Sequence, residues 1–369
     1  MKILVAPDKF KGVQSAREVA ENIAAGLRDV LGDVHIDIVP VADGGEGTAE
    51  VMRAAGNGSW RKCRAHDALG RAIDSRYVWL PESGMAVIEM SEAAGMNRLR
   101  AGERNVDLAS TFGVGEMILD AAKCGAREII VGLGGSATND GGFGMARALG
   151  FRFFGANDEE LCGPVSALAA LSRIELPRNM AVPPRIVAAA DVRSPLLGKN
   201  GATRMFGPQK GARPNQIHLL EDALTKLAEV VARDLGVDFR NEPGAGAAGG
   251  TGFGLMSFGG ATMRRGFDVV AEAIDLRAKM KTAGVVITGE GRLDRQTLEG
   301  KAPAEVAKLA RTLGKRVFAI VGRADEDRAL HDLFDGIYAA TEKGVSDEES
   351  IAHAPELLRA QARELAKTL

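Results

Sequence analysis

The sequence predicts an α/β fold, and three observations carry that prediction. Short apolar runs alternate with amphipathic helical patterns at both ends of the chain. Glycine is enriched, 46 of 369 residues, against about 7% in average proteins. Those glycines gather with charged and hydroxyl residues directly after the predicted strands, which is where open α/β sheets bind ligands. The length suits two or three domains.

In chain order, residues 3–6 read as a short strand stopped by Pro7. Residues 15–31 read as a helix: Ser15 and Glu18 form a capping box, Val19, Ile23, Leu27 and Val30 a stripe, and Gly32 the C-cap. A second strand at 35–41 leads into Asp43-Gly44-Gly45-Glu46-Gly47 and a helix over 48–55. Residues 60–80 alternate polar and apolar with interleaved charges, as an antiparallel pair does. Next come a helix at 110–124, a buried strand at 128–133 and a helix ending at 149. Residues 186–190 form a strand that ends at Asp191, and 215–235 form the longest amphipathic helix, with Ile217, Leu220, Leu224, Leu227 and Val231 on one face. Residues 244–260 read as an ordered loop, because Phe253, Leu255, Met256 and Phe258 punctuate its glycines. Regular alternation returns at 284, with strands at 285–288, 317–321 and 336–340 and a helix at 303–313.

Composition removes several function classes. With 47 basic and 49 acidic side chains, a net charge of −2 and no basic block, the electrostatic footprint of nucleic-acid binding is missing. No apolar run reaches membrane-spanning length, and the run after Lys2 is too short for a signal peptide, so a cytoplasmic protein is expected. Cys63, Cys124 and Cys162 are far apart, and the five histidines are isolated, which argues against zinc, dithiol or histidine-triad chemistry. Chemistry then falls to carboxylates, lysines, arginines and backbone amides, a set suited to phosphoryl transfer.

Six clusters could carry it. Pro7-Asp8-Lys9-Phe10-Lys11-Gly12 follows the first strand. Asp43-Gly44-Gly45-Glu46-Gly47 follows the second; its acids could bind a metal, hold hydroxyls or merely favour the next helix dipole. Gly134-Gly135-Ser136-Ala137-Thr138-Asn139-Asp140-Gly141-Gly142 lies between a strand and a helix and reads as a phosphate loop, with a well-capped turn as the alternative. Asp191 at a strand terminus suits a general base or a metal ligand. Lys210, in Phe206-Gly207-Pro208-Gln209-Lys210-Gly211, could meet a phosphate or simply be solvated. In Thr288-Gly289-Glu290-Gly291-Arg292, the Arg292 fork suits a carboxylate or phosphate. The Gly244-x-Gly246-x-x-Gly249 match lacks a preceding strand, and Gly300-Lys301 lacks the rest of a Walker A motif.

Asp8-x-Phe10-Lys11, Ala42 to Thr48, Gly134 to Gly142, Phe206 to Ala212, and Thr288 to Arg292 with Gly300-Lys301-Ala302-Pro303 occur in this order. In this the chain resembles the type I glycerate kinases over residues 1–340. The resemblance implies ATP- and Mg2+-dependent phosphorylation of D-glycerate at its 2-hydroxyl, giving 2-phosphoglycerate. It also implies two domains: a discontinuous Rossmann-like parallel-sheet domain from residues 1–75 plus 284–369, and an inserted second α/β domain from residues 76–283. Lys9 and Ser194 depart from the family pattern. On this reading Gly134, Gly135, Ser136, Thr138, Asn139, Asp140 and Lys210 bind the nucleotide phosphates. Asp8, Lys11, Gly44, Gly45, Glu46 and Glu290 bind substrate, Arg292 with Lys11 takes the glycerate carboxylate, and Asp43 and Asp191 bind magnesium. Asp191, Asp43 and Arg292 are the expected catalytic residues, with Asp191 as base, although the acids could exchange roles. Small molecules are the expected partners, neither nucleic acid nor membrane, with a homodimer left open. The rival readings are a kinase of the galactokinase-mevalonate kinase type, whose loop runs Gly-Leu-Gly-Ser-Ser-Ala where this chain has Gly135, and a metabolite sensor on a kinase fold.

Overall fold

The computed structural model describes residues 2–177, 184–341 and 351–369. The chain forms two compact units, Met1–Asp43 with Phe267–Leu369, and Gly44–Gly266. These boundaries differ from the expected 75/76 and 283/284. At the first boundary the reason is strand pairing: Ser59–His66 pairs antiparallel with Ala72–Leu80, which pairs with Met85–Glu89, so the hairpin belongs to the second unit's sheet.

The first unit holds a five-stranded, all-parallel sheet in the order Gly336–Ala339, Arg316–Val321, Val285–Thr288, Lys2–Val5, His35–Ile38. Numbered along the chain this is 2-1-3-4-5, the flavodoxin-type doubly wound order, whose switch point lies between the first and third strands. Here those strands are Lys2–Val5 and Val285–Thr288. Helix Ala16–Leu31 carries the expected capping box and ends at left-handed Gly32. Its Val19, Ile23 and Leu27 pack with Ile3, Val5, Ile287, Ile320 and Leu358, whereas Val30 is exposed. Helix Ala354–Ala366 lies against it at Gly26, where a Cβ would stand 2.4 Å from the Arg359 carbonyl oxygen. Strands buried on both faces are why these segments read as continuous apolar runs.

The second unit holds a six-stranded sheet ordered Thr262–Arg264, Arg185–Ala189, Glu128–Gly132, Met85–Glu89, Ala72–Leu80, Ser59–His66, with the first four parallel. Val114, Met117, Ile118 and Ala121 of helix Phe112–Lys123 cover Ile88, Ile129, Val131 and Ile186. A separate core joins Leu220, Leu224, Leu227 and Val231 of helix Pro214–Leu235 to Phe143, Phe153, Phe253 and Phe258. Residues 244–260 are not a loop throughout: Ala247–Gly259 is helical except for a kink at three left-handed residues, Ala248, Gly249 and Gly250. The glycines that looked like a loop signal serve close packing instead, since a Cβ on Gly252 would lie 2.2 Å from the Gly244 carbonyl oxygen. Among the described residues no helix is long and apolar enough to cross a membrane.

Candidate functional site

In the first unit the switch point gathers two of the predicted clusters. The strands Lys2–Val5 and Val285–Thr288 stay tied beyond their ends: the Ala6 amide donates to the Ile287 carbonyl (2.7 Å), the Thr288 hydroxyl to the Ala6 carbonyl (2.8 Å), and the Asp8 amide to the Gly289 carbonyl (2.8 Å). Gly289 is required here, because a Cβ would stand 2.1 Å from the Ile320 carbonyl oxygen. Asp8 and Glu290 are thereby held at the strand ends, 8% and 7% exposed. Burial pushes the Asp8 carboxyl up to about 7, opposed by the Lys9 ammonium and reinforced by the charges of Asp43 and Glu290. Burial likewise raises Glu290 to about 7, against a Thr297 hydroxyl donating to its Oε1 at 2.7 Å and the Lys301 ammonium 3.6 Å from its Oε2. Lys301 also reaches Asp294 at 3.3 Å. Two carboxyls poised near neutrality at a switch point are suited to proton transfer and to holding hydroxyls. Arg292 is the exposed residue of the two-residue strand Arg292–Leu293, its Nη2 3.0 Å from Asp325 Oδ1, and Lys11 is exposed on the turn after Phe10.

In the second unit two further clusters meet. Residues 44–47 cross the carboxyl ends of the parallel strands: a Cβ on Gly132 would stand 2.6 Å from the Gly44 carbonyl oxygen, and one on Gly134 2.5 Å from Gly45 Cα. Gly44 and Gly47 are left-handed, at φ 84° and 96°. Glu46 follows on this turn, and Asp191, two residues past strand Arg185–Ala189, has Arg265 Nε 4.0 Å from its Oδ1.

The phosphate-loop motif divides in two. Gly135 to Ala137 run beside residues 94–96, the Met96 amide donating to Gly135 and the Ala137 amide to Ala94. Thr138, Asn139 and Asp140 are buried and largely committed to the fold. The Asp140 carboxylate accepts from the Thr111 amide and hydroxyl (both 2.8 Å) and from the Gly142 and Gly144 amides (both 3.1 Å). Burial nonetheless raises its pKa, with the Thr111 and Gly144 amide bonds opposing. Asn139 Nδ2 donates to the Thr203 hydroxyl at 3.0 Å, while its buried Oδ1 has no partner among the described residues. That atom is an acceptor, so it suits a ligand O–H or N–H rather than a phosphate oxygen. Lys210 is buried too; its Nζ donates to the Thr138 carbonyl at 2.8 Å, and desolvation lowers its pKa to about 7 against the favourable charge of Asp140.

The sequence reading passed over Glu89. It ends strand Met85–Glu89, and its Oε1 accepts from the Gly47 and Ala49 amides at 3.0 and 2.8 Å. No glycine cluster flags it; the only signal is an acid closing an apolar strand. Thr111, which clasps Asp140, gave no signal at all. Among the described residues no group of three or more histidine, cysteine or acidic side chains could hold a metal ion.

The fold defines an α/β protein of ligand-binding type, with near-neutral carboxyls at the switch point of the first unit's sheet and, in the second unit, glycine turns over that unit's own strand ends. The sequence model of the glycerate kinase family matches residues 3–369. Glycerate 2-kinase of Escherichia coli (strain K12) is 40% identical, covering 100% of this chain and 98% of the relative. Glycerate kinase of Bacillus subtilis (strain 168) is 37% identical at the same coverage. A crystal structure from Salmonella typhimurium LT2, assigned as glycerate kinase 2, superposes with a TM-score of 0.88 at 39% identity, covering 100% of this chain and 98% of that one. The chain belongs to the glycerate kinase family.

Proposed function

We propose that the chain is a cytoplasmic kinase that transfers the γ-phosphoryl group of ATP to the 2-hydroxyl of D-glycerate, giving 2-phosphoglycerate and ADP. Membership of the family over residues 3–369 supports the kinase reading. The observation that carries the chemistry is the pair Asp8 and Glu290, buried at the switch point and raised to about 7. A base acts best with a pKa near the working pH, and such a carboxyl can accept the proton of the attacking hydroxyl.

The glycine turn at residues 134–136 holds phosphate oxygens on backbone amides, which need no side-chain charge. Asn139 Oδ1 accepts from a hydroxyl or amino group of the nucleotide. Lys11 and Arg292 take the glycerate carboxylate, and Gly44, Gly45 and Glu46 line the substrate. Mg2+ commonly takes one or two carboxylates and completes its shell with phosphate oxygens and water, so carboxylates such as Asp43 and Asp191 fit it without a dedicated cluster. When bound, the ion neutralises charge on the transferring phosphoryl group. Two acids compete for the role of base: strand-end position favours Asp191, which would then leave the ion to Asp43, and desolvation favours Asp8. Asp191→Asn and Asp8→Asn separate them: loss of the acidic limb of the pH-rate profile with only one variant identifies the base.

The test couples ADP release from ATP, Mg2+ and D-glycerate to a dehydratase specific for 2-phosphoglycerate. Signal at both stages is expected. ADP release alone would move the transfer to the 3-hydroxyl, and silence at both would refute the reading. Arg292→Lys should chiefly raise KM for glycerate; an unchanged KM removes Arg292 from the carboxylate site.

A further inference from the structure

We propose that Glu89 is a positioning residue, whose carboxylate holds the turn at residues 44–47 in the conformation that presents Gly44, Gly45 and Glu46 to the substrate. The inference deepens the proposed function and rests on the substrate role given there to that turn.

The turn has little conformational preference of its own. Gly44, Gly45 and Gly47 are three of its four residues, and the chain passes through left-handed φ twice. The helix it feeds, Thr48–Ala55, begins without a side-chain cap, because its N-cap is Gly47. The first-turn amides therefore need an acceptor from elsewhere. Glu89 supplies it across 42 residues of sequence, with one oxygen accepting from both Gly47 and Ala49. A carboxylate at a helix N-terminus is also favoured by the helix dipole.

Close glycine-on-glycine approaches also seat the turn, Gly44 over Gly132 and Gly45 over Gly134. Those permit close approach but carry no directional information. Glu89 pairs directly with Gly132 in the sheet register, so the charged anchor and one of the close backbone approaches sit on adjacent strands at the same level. Glu89 is itself only 7% exposed, on a strand buried on both sides. Its place is set by the sheet, and it transmits that place to the turn.

Three variants test this. Glu89→Gln keeps an acceptor oxygen at the same reach, Glu89→Ala removes it, and Glu89→Asp, one methylene short, replaces the alanine variant should that one fail to fold. The measurements are KM and kcat for D-glycerate and for ATP, with amide hydrogen exchange over residues 44–52. Glu89→Gln is expected to keep kcat/KM for D-glycerate within about threefold, while Glu89→Ala loses about 30-fold or more with the KM for ATP little changed. Exchange protection at Gly47 and Ala49 should fall about tenfold or more in Glu89→Ala and persist in Glu89→Gln. Equal losses of turnover in the glutamine and alanine variants, with protection intact in the former, would overturn the proposal by showing that the charge itself meets the substrates. Normal kinetics in a destabilised Glu89→Ala would overturn it in favour of a purely structural role. If the wild type releases no ADP with D-glycerate, the functional reading fails by itself. Exchange then decides the anchor: protection lost only in the alanine variant supports it, and equal protection in all three proteins refutes it.

Discussion

Replacing Asp8 by asparagine should stabilise the protein while disabling it, and the size of the gain should depend on pH. Burial moves the Asp8 carboxyl from 3.8 to about 7. At about 1.4 kcal/mol per pH unit, that displacement corresponds to about 4 kcal/mol by which the folded state disfavours the ionised group. Above pH 7 the native protein carries this charge and bears the full penalty. As pH falls through about 7 the folded state takes up a proton, whereas the unfolded chain stays ionised until about 3.8. The folded state binds the extra proton between those values, so the wild type gains stability as pH falls and loses it as pH rises. Asparagine is neutral throughout and nearly isosteric, and the Lys9 amide, which donates to Asp8 Oδ1 at 2.7 Å, can still donate to its carbonyl oxygen. Urea unfolding of wild type and Asp8→Asn at pH 8 should therefore differ by up to about 4 kcal/mol in favour of the variant, and the gap should shrink by about 3 kcal/mol on moving to pH 5. Turnover should fall at least about 100-fold, since a base or hydroxyl ligand is lost. A variant no more stable than wild type at pH 8, or a gap that ignores pH, would refute the desolvation argument and with it the case for Asp8 as a near-neutral carboxyl.

Three further outcomes follow from named contacts. Lys210→Met removes a buried amine lowered from 10.5 to about 7; the unfolded chain binds the extra proton between those values, so wild-type stability rises with pH there, and the variant's advantage in urea, greatest below pH 7, should shrink across that window. Its KM for ATP decides the phosphate role, since a several-fold rise is expected if the amine turns to the nucleotide. Thr111→Val deletes the hydroxyl that donates to Asp140 and accepts from the Met145 amide at 2.9 Å, and should destabilise the second unit by about 2–4 kcal/mol, seen as a lower urea midpoint. Gly134→Ala places a methyl 2.5 Å from Gly45 Cα; displacing that turn by about 1 Å should lower kcat/KM about 100-fold, while circular dichroism shows an intact fold.

Much of this protein is legible in its sequence. The capping box at Ser15 and Glu18, the alternation of apolar strands with helices, and the glycine clusters after them are local signals, set by backbone hydrogen bonding and the 3.6-residue period. The clusters around Asp8 and Glu290 could be named as candidates for the same reason. One stretch was misread because a single local pattern serves two ends. A glycine-rich run such as residues 244–260 signals a loop when glycine supplies backbone freedom, but here it makes a helix that approaches neighbouring backbone closely. Thr138, Asn139, Asp140 and Lys210 have the composition of a phosphate site, and no local pattern shows the burial and hydrogen bonds that also tie them into the fold.

Sequence alone determined the element types, the polar inventory available for chemistry and the family likeness, because those depend on neighbours within a few residues or on the order of motifs. Only the tertiary structure decided the strand order, and with it the switch point that carries Asp8 and Glu290 to adjacent strand ends 282 residues apart in sequence, the separation at which the Thr288 hydroxyl meets the Ala6 carbonyl. It alone raised those carboxyls toward neutrality and gave Glu89 its two amides, since desolvation and long-range hydrogen bonds exist only once the sheet has closed over them.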